Sequence, residues 1–499
     1  MAYNSEQPSF QILICCIKIW NVEDSANVMS VPNDAMLISE VSEIEIEESY
    51  KKLIWNASVK FPRGTVVRKT ITPENQTEIA DDPSLGVSKN NSGVIEEVRK
   101  NASVATNEMF KPGQRIRIYL GYTEDPEIAR IAKTNATGKT IFNDQDTLKR
   151  YTEDSQYLAE KAMHIMFDGY ITKVSVDTPI ELYCENLLSS LKSITCPKKT
   201  LTKATINDII GPEGKLKLLE GTGLKLHSDT VATEFSIGKI ELVPDLTLAD
   251  VLTEWAKYGI YCYYCDDNGE PAIQIARAYF SSKDNDPKLK GSILNANSEV
   301  VTPIKILFDY NVAQNGLSAT IAEKDFVGVE AEGLANEGGK DKFIHMTILK
   351  NPKYKEGDPP DDKYRVVNES KLTKKAMKLG CRPLSEAGEH VDMKLYTKIP
   401  YHSRKIPITR DELLEEAIQY LEGYNVNGIE GSLTLFGDLH LHTATKVELV
   451  DNRYPGKNGY YLVEEVNTTF GVDGYRQTIK MPYCIKRIGK TDSENNEQQ

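Results

Sequence analysis

Two groupings of residues in this 499-residue sequence have types and spacing that invite chemistry. Cys262-Tyr263-Tyr264-Cys265 has the two-residue gap of a zinc-binding cysteine pair. No second pair follows within roughly 12 to 20 residues, as a four-ligand site would need; the next cysteine is Cys381. On a strand, positions three apart face opposite ways, so these thiols should diverge and pack. Asp438, His440 and His442 form the second grouping. Strand alternation would put both imidazoles on one face, a geometry able to hold a metal. No further His or Cys lies nearby in sequence, and an exposed polar face is the simpler reading. Gly138-Lys139-Thr140 and Gly489-Lys490-Thr491 end like phosphate loops, but Lys133 and Cys484 stand where the earlier glycine is required. No His-Glu-x-x-His helix and no Gly-x-Ser-x-Gly elbow occurs. The 73 acidic residues always offer carboxylate pairs and therefore nominate none. The expectation is a chain that is not an enzyme, with no catalytic, cofactor-binding or metal-ligating residues.

Bulk composition agrees with a structural role. The chain is too long for one compact core, and three or four domains are expected. Hydrophobic residues make up 40% and charged residues 27%, the usage of a soluble globular protein. A net charge of −13 disfavours tight nucleic-acid binding, which needs a basic footprint, yet suits a wall that nucleic acid slides past. No segment has the roughly 20 apolar residues of a membrane span. The early apolar stretch Phe10 to Trp20 is interrupted by Lys18 and lacks a signal peptide's basic leader and cleavage site. Eight scattered cysteines fit reduced thiols and folding in a cytoplasm.

The elements that must position these residues read mostly as strands. Gln11 to Trp20 is β-rich, Glu43 to Glu47 alternates with period two, and Ile54 to Phe61 continues in the same manner. Residues 64–109 and 122–162 are polar and read as insertions. Between them Arg115, Arg117 and Tyr119 share one strand face while Ile116, Ile118 and Leu120 share the other. Phe167 to Ile171 and Ile180 to Glu185 flank a turn at Asp177-Thr178-Pro179. Thr247 to Tyr258 is a helix with an apolar stripe at Leu248, Val251, Leu252 and Trp255, capped by Thr247 and ended by Gly259. A hairpin follows, Ile260 to Cys265 and Ala272 to Ala276, turning at Asp266 to Gly269. A second helix spans about 410–422, with a capping box at Thr409 and Glu412. Strands are then expected at Lys446 to Leu449, Tyr460 to Val466 and Tyr475 to Met481, the last two joined by a turn at Gly471 to Gly474. Much of 327–408 reads as an insertion that decorates the fold, and its Gly338-Gly339-Lys340-Asp341 and Pro359-Pro360-Asp361-Asp362 stretches read as loops.

An internal echo links the two ends. Arg115–Leu120 followed by Gly169-Tyr170 matches Lys446–Val450 followed by Gly459-Tyr460: an alternating strand, a loop, then Gly-Tyr in a long hairpin.

The same segments carry a family resemblance. Phe167 to Val174 with Ile180 to Ser190 resembles the hairpin closing the first barrel of the central hub proteins of contractile phage baseplates and related injection systems. That family includes the late control protein D group and the hub portion of valine-glycine repeat spike proteins. Thr247 to Ile275 resembles the family's next landmark, a helix ending in Tyr-Gly before a strand and an acidic turn. Gly428 to Met481 is similar to its closing barrel. The resemblance implies a mainly β fold with α+β parts: two tube-like β-barrel domains per chain plus smaller α/β domains. On this reading residues 1–190 hold the first barrel, with insertions at about 64–109 and 122–162. A small α/β part spans 191–300, the second barrel spans 301–488 with an insertion at about 327–408, and 489–499 is a disordered tail. It further implies a homotrimer whose six barrels form a pseudo-sixfold ring, joining a hexameric tail tube to a trimeric spike in the baseplate of a virion or injection particle. The ring would be part of the delivery channel, with neighbouring baseplate proteins on the insertions and no cofactor. With no spike or lysozyme-like domain after Met481, the spike is expected as a separate chain. The strands at 115–120 and 446–450 are expected to line the lumen. The alternatives are a tail-tip or receptor-binding protein of a non-contractile tail, and a tail-associated cell-wall hydrolase.

Overall fold

The structure is a computed structural model. It describes residues 12–24, 31–32, 35–69, 102–123, 163–176, 179–202, 205–227, 240–256, 260–267, 270–277, 303–317, 327–337, 340–351, 353–354, 358–359, 362–367, 369, 371–386, 393, 396–403, 408–424 and 431–487. The fold is mainly β with smaller helical parts, as expected. All of 70–101 and of 124–162 and the tail after 487 lie outside the described residues, as do the turn residues Asp177 and Thr178, Gly259 and both phosphate-loop-like triplets.

Alternation builds the central sheet. In Glu43–Ser49, Ile44 and Ile46 are fully buried while Glu45 and Glu47 face solvent. The partner strand Asn56–Lys60 buries Ala57 and Val59 in the same way. Trp55 fixes the turn between them, its indole N–H donating to the Ser49 carbonyl at 2.9 Å. From this hairpin the sheet grows both ways to 13 strands. On one side lie Glu181–Asn186, Met163–Val174, Arg115–Thr123, Ile12–Trp20, Met36–Ile38, Val66–Lys69 and Ala102–Val104. On the other lie Glu465–Gly471, Gly474–Lys480, Leu433–Phe436 and Val312–Asn315. Every pairing in this sheet is antiparallel. Bulges between Ile118 and Tyr119, and between Ile171 and Lys173, bend it. It curls far enough for Tyr122 to stack on Tyr475 at 5.5 Å, and one apolar core takes residues from Cys15 to Tyr475. No closed barrel forms among the described residues; the two ends of the chain meet in one curved sheet.

The remaining sheets are smaller. Ile304–Leu307, Lys446–Val450, Gly459–Leu462 and Tyr483–Arg487 form a four-stranded sheet. Sequence alternation had run Tyr460 to Val466 as one strand; the chain instead breaks at Val463-Glu464 and changes sheets. The Val463 and Glu464 amides bond Thr445 and Lys480 carbonyls, so each residue is claimed by a different neighbour. Helix Leu248–Trp255 has its expected cap, Thr247 accepting from the Asp250 amide at 3.2 Å. Its core also takes helix Ile206–Ile210, whose Thr205–Asp208 capping box the sequence reading overlooked. The following hairpin pairs Ile260–Asp267 with Glu270–Arg277, two residues longer on the first strand than expected.

Residues 327–408 hold the largest departure. The expected insertion carries its own sheet: Val327–Glu337 and Lys340–Lys350 form an 11-residue-per-strand hairpin in a five-stranded sheet, so Lys340 and Asp341, expected in a loop, are strand. Helix Arg410–Tyr424 packs its Leu413, Leu414, Ala417, Ile418 and Leu421 against it. Gly333 permits that packing, since a Cβ there would sit 2.7 Å from an Ile408 methyl. Gly338 and Gly339 lie outside the described residues; in a sequence, a Gly-Gly pair between two alternating runs is a tight-hairpin signal. Residues 64–109 likewise contribute two edge strands to the large sheet at their ends.

Candidate functional site

The junction between the early and late strands is the most densely bonded polar region described. Alternation carries Glu48 inward after Ile44 and Ile46, so a carboxylate occupies a core position. Burying it requires partners. The segment 437–445 supplies them as it crosses the inner face of the sheet: the Thr443 amide donates to Glu48 Oε2 at 3.2 Å, and His442 Nδ1 lies 3.1 Å from both oxygens. Thr443 Oγ1 accepts from the Tyr50 amide at 2.8 Å and donates to the Glu464 carbonyl at 2.8 Å. Gln477, fully buried, grips the same segment twice, accepting from the Leu441 amide and donating to its carbonyl, both at 2.8 Å. Lys51 pairs with Glu464 at 2.8 Å on the rim.

His440 and His442 do not share a strand face. They follow a short 3-10 turn, Gly437–Leu439, with His440 in the left-handed region at φ 47 and the buried Leu441 between them. Gly437, which opens the turn, lies against the Tyr475 ring, where a Cβ would come within 2.2 Å, so only glycine fits there. His440 stacks on His164 with ring centroids 3.9 Å apart, and its Nδ1 shares a 3.3 Å hydrogen bond with the Tyr475 hydroxyl. Stacked rings present faces to each other, whereas a shared metal needs converging ring-edge nitrogens. Among the described residues no three His, Cys, Asp or Glu side chains form a group able to hold a metal. Burial, with His164 and His442 nearby, pushes His440 down to about 3, so it is neutral near pH 7. Burial and His442 also lower His164. Burial alone would lower His442, but Glu48 outweighs it and raises the net value. Asp438 is raised by burial and accepts from Asn311 Nδ2 at 3.1 Å.

The sequence pairing of Arg115 and Arg117 on one face also has a structural use. Both guanidiniums reach the single carboxylate of Asp168 on the neighbouring strand, Arg117 through Nε at 2.9 Å and an NH2 at 2.6 Å. Arg115 lies between the Trp20 and Tyr170 rings, at 5.3 and 5.2 Å. Arg115 through Leu120 are buried on both faces, so this strand does not line a lumen as expected. Its echo partner Lys446–Val450 lies in a different sheet, although each strand pairs with its Gly-Tyr strand: Gly169 opposes Ile116 and Gly459 opposes Leu449.

Cys262 and Cys265 diverge as the strand period requires, Cys262 into the core with helix Leu248–Trp255 and Cys265 towards the cluster of Tyr50 and Trp55. Burial pushes the Cys262 thiol up to about 12, which keeps it protonated. Glu48, Thr443 and Gln477 were missed in the sequence. Glu48 had a visible signal, its place in the inward column of the 43–49 strand.

These features define a mainly β protein whose densest polar chemistry joins its own ends. No family model and no curated protein matches the sequence. Solved structures do. The chain is similar to a 43 kDa tail protein of prophage MuSo2 from Shewanella oneidensis, at 10% identity over 95% of this chain and 100% of that one, TM-score 0.43. It is similar to the lidded PdpA-VgrG complex of Francisella, at 10% identity over 96% and 53%, TM-score 0.45. It is also similar to the E. coli c3393 protein, described as a type VI secretion system component resembling T4 tail proteins gp27 and gp5. That match has 10% identity over 89% and 74%, TM-score 0.35. The neighbours are thus tail and secretion-system proteins.

Proposed function

We propose that the chain is a structural baseplate hub of a contractile tail or tail-like injection particle, without catalytic activity. Three copies form a pseudo-sixfold ring between a hexameric tail tube and a trimeric spike, and the ring is part of the delivery channel. Its parts are a first tube-like unit at 1–190, a small α/β unit at 191–300 and a second tube-like unit at 301–488. Neighbouring baseplate proteins sit on the insertions, and nucleic acid is not bound specifically.

One observation carries this reading. The hairpin Met163–Val174 with Glu181–Asn186, and the late strands Glu465–Gly471 and Gly474–Lys480, hold the two outer blocks of the hub resemblance. They lie on opposite sides of one central hairpin in one sheet. A protein that presents two similar tube segments to a ring needs its ends fused into one continuous wall, and heterologous contacts between such copies close into rings.

Light scattering of the purified chain, alone and with its candidate spike, tests the proposal. A species at about three times 55.9 kDa is the expected result. A strict monomer under both conditions overturns it.

A further inference from the structure

Glu332, His345 and His402 lie far apart in the sequence, and the five-stranded sheet lines them up. Glu332 opposes His345 on one neighbouring strand and His402 on the other. A carboxylate position therefore sits between two imidazole positions, in one row across Lys340–Lys350, Val327–Glu337 and Thr397–His402.

The row belongs to the face turned away from helix Arg410–Tyr424. Ala331 and Met346, each one step from the row, are buried with that helix, whereas Glu332 and His345 are exposed. Of His402 the backbone alone is described, and its two neighbours settle its face. The Tyr401 and Ser403 hydroxyls both donate to Glu416 of the helix, at 3.1 and 2.7 Å. Period two then gives position 402 to the opposite face, beside Glu332. The Ser403 amide donates to the Glu332 carbonyl at 2.8 Å, which holds the end of this edge strand in register.

Neighbouring strands lie about 4.7–4.9 Å apart. Imidazole and carboxylate ligands bind zinc at roughly 2.0–2.2 Å, so two rings flanking one carboxylate can converge above it. The local charge suits a cation, since Lys398 further along this face lies 2.9 Å from Glu330, which offsets it. A merely solvated row has no need of histidine. This chain has only seven histidines, and two of them oppose the same carboxylate.

We propose that Glu332, His345 and His402 bind a divalent transition-metal ion such as Zn2+, with a fourth position left to water. Imidazole donors select such ions over Mg2+ and Ca2+, which prefer oxygen ligands. The ion joins three strands, one of them the edge strand of the sheet, and so pins Thr397–His402 to its neighbours. This inference is independent of the hub reading.

The test titrates the full chain, stripped with EDTA and dialysed, with ZnCl2 in a calorimeter. One ion per chain should bind, and the melting temperature should rise with it. Glu332→Gln, His345→Ala and His402→Ala should each weaken binding by at least roughly tenfold, the least that losing even a supporting partner of a metal ligand costs. His227→Ala should leave binding unchanged, and Mg2+ should not compete. Glu332 and His345 are exposed, so their variants should melt at the wild-type temperature in EDTA, which separates ligand loss from misfolding. Hydrogen exchange at 397–402 should slow when Zn2+ is added to wild type, and not when it is added to the variants. A wild-type chain that binds no Zn2+ overturns the proposal. So does binding that all three variants retain at wild-type affinity, which puts the ion elsewhere.

Discussion

The two wings of the long sheet bury polar groups in opposite ways. The early wing holds charge: Asp168 between Arg115 and Arg117, joined carboxylate to guanidinium. The late wing holds a neutral amide, Gln477, whose partners are both backbone groups of Leu441 and the Thr468 hydroxyl. A charged cluster costs a great deal if one member is removed, because the remaining charge is left dry. A neutral amide costs less to lose, but here it holds a chain segment in place. The first cluster ties neighbouring strands together; the second ties a crossing segment to a sheet.

Perturbations should separate the two. Asp168→Ala leaves two buried guanidiniums facing each other and should destabilise by about 3–5 kcal/mol, read from urea unfolding. Asp168→Asn should recover only a small part of that loss. Gln477→Ala leaves the Leu441 amide and carbonyl without their partner and should cost about 1–3 kcal/mol. It should also raise hydrogen exchange selectively at 437–445. A loss from Gln477→Ala equal to that from Asp168→Ala would erase the contrast.

Acid gives a third comparison within the late wing. The folded chain holds His440 near 3, against an unfolded value of about 6.5, so the unfolded state binds the extra proton. Its contribution to stability is complete above pH 6.5 and declines as pH falls from there towards 3. His164 is shifted in the same direction. His442 is raised, so its contribution is present below pH 6.5 and lost as pH rises through its folded value. His440→Gln should therefore flatten the fall in melting temperature between pH 7 and 5, whereas His442→Gln should steepen it. The smallest effect concerns thiols: Cys262 and Cys381, each pushed up to about 12 by burial, should resist a disulfide reagent until the chain unfolds.

Much of this was legible beforehand. The alternation of Glu43–Ser49 announced its strand and, read one step further, the inward Glu48. Thr247 with Asp250 and Thr409 with Glu412 marked helix starts that the structure keeps. The Val327–Lys350 hairpin was missed because its loop-like glycines outweighed the alternating Val327, Val329 and Ala331 in the reading. The histidines were misplaced for a different reason. Period two over Asp438, His440 and His442 assumes a strand, whereas the chain makes a short 3-10 turn with Gly437 against the Tyr475 ring and His440 left-handed.

By itself the sequence determined what depends on neighbours along the chain: strand faces, helix caps, tight turns and the divergence of Cys262 from Cys265. Those follow from side-chain periodicity and from hydrogen bonds spanning three or four residues. Tertiary structure decided which strands pair. Glu43–Ser49 joins Glu465–Gly471 across more than four hundred residues, and that union makes one sheet of the chain's two ends. An inward column of isoleucines fits many partners equally well, so register and partner are chosen only when Glu48 meets Thr443 and Gln477 meets Leu441 in the folded core.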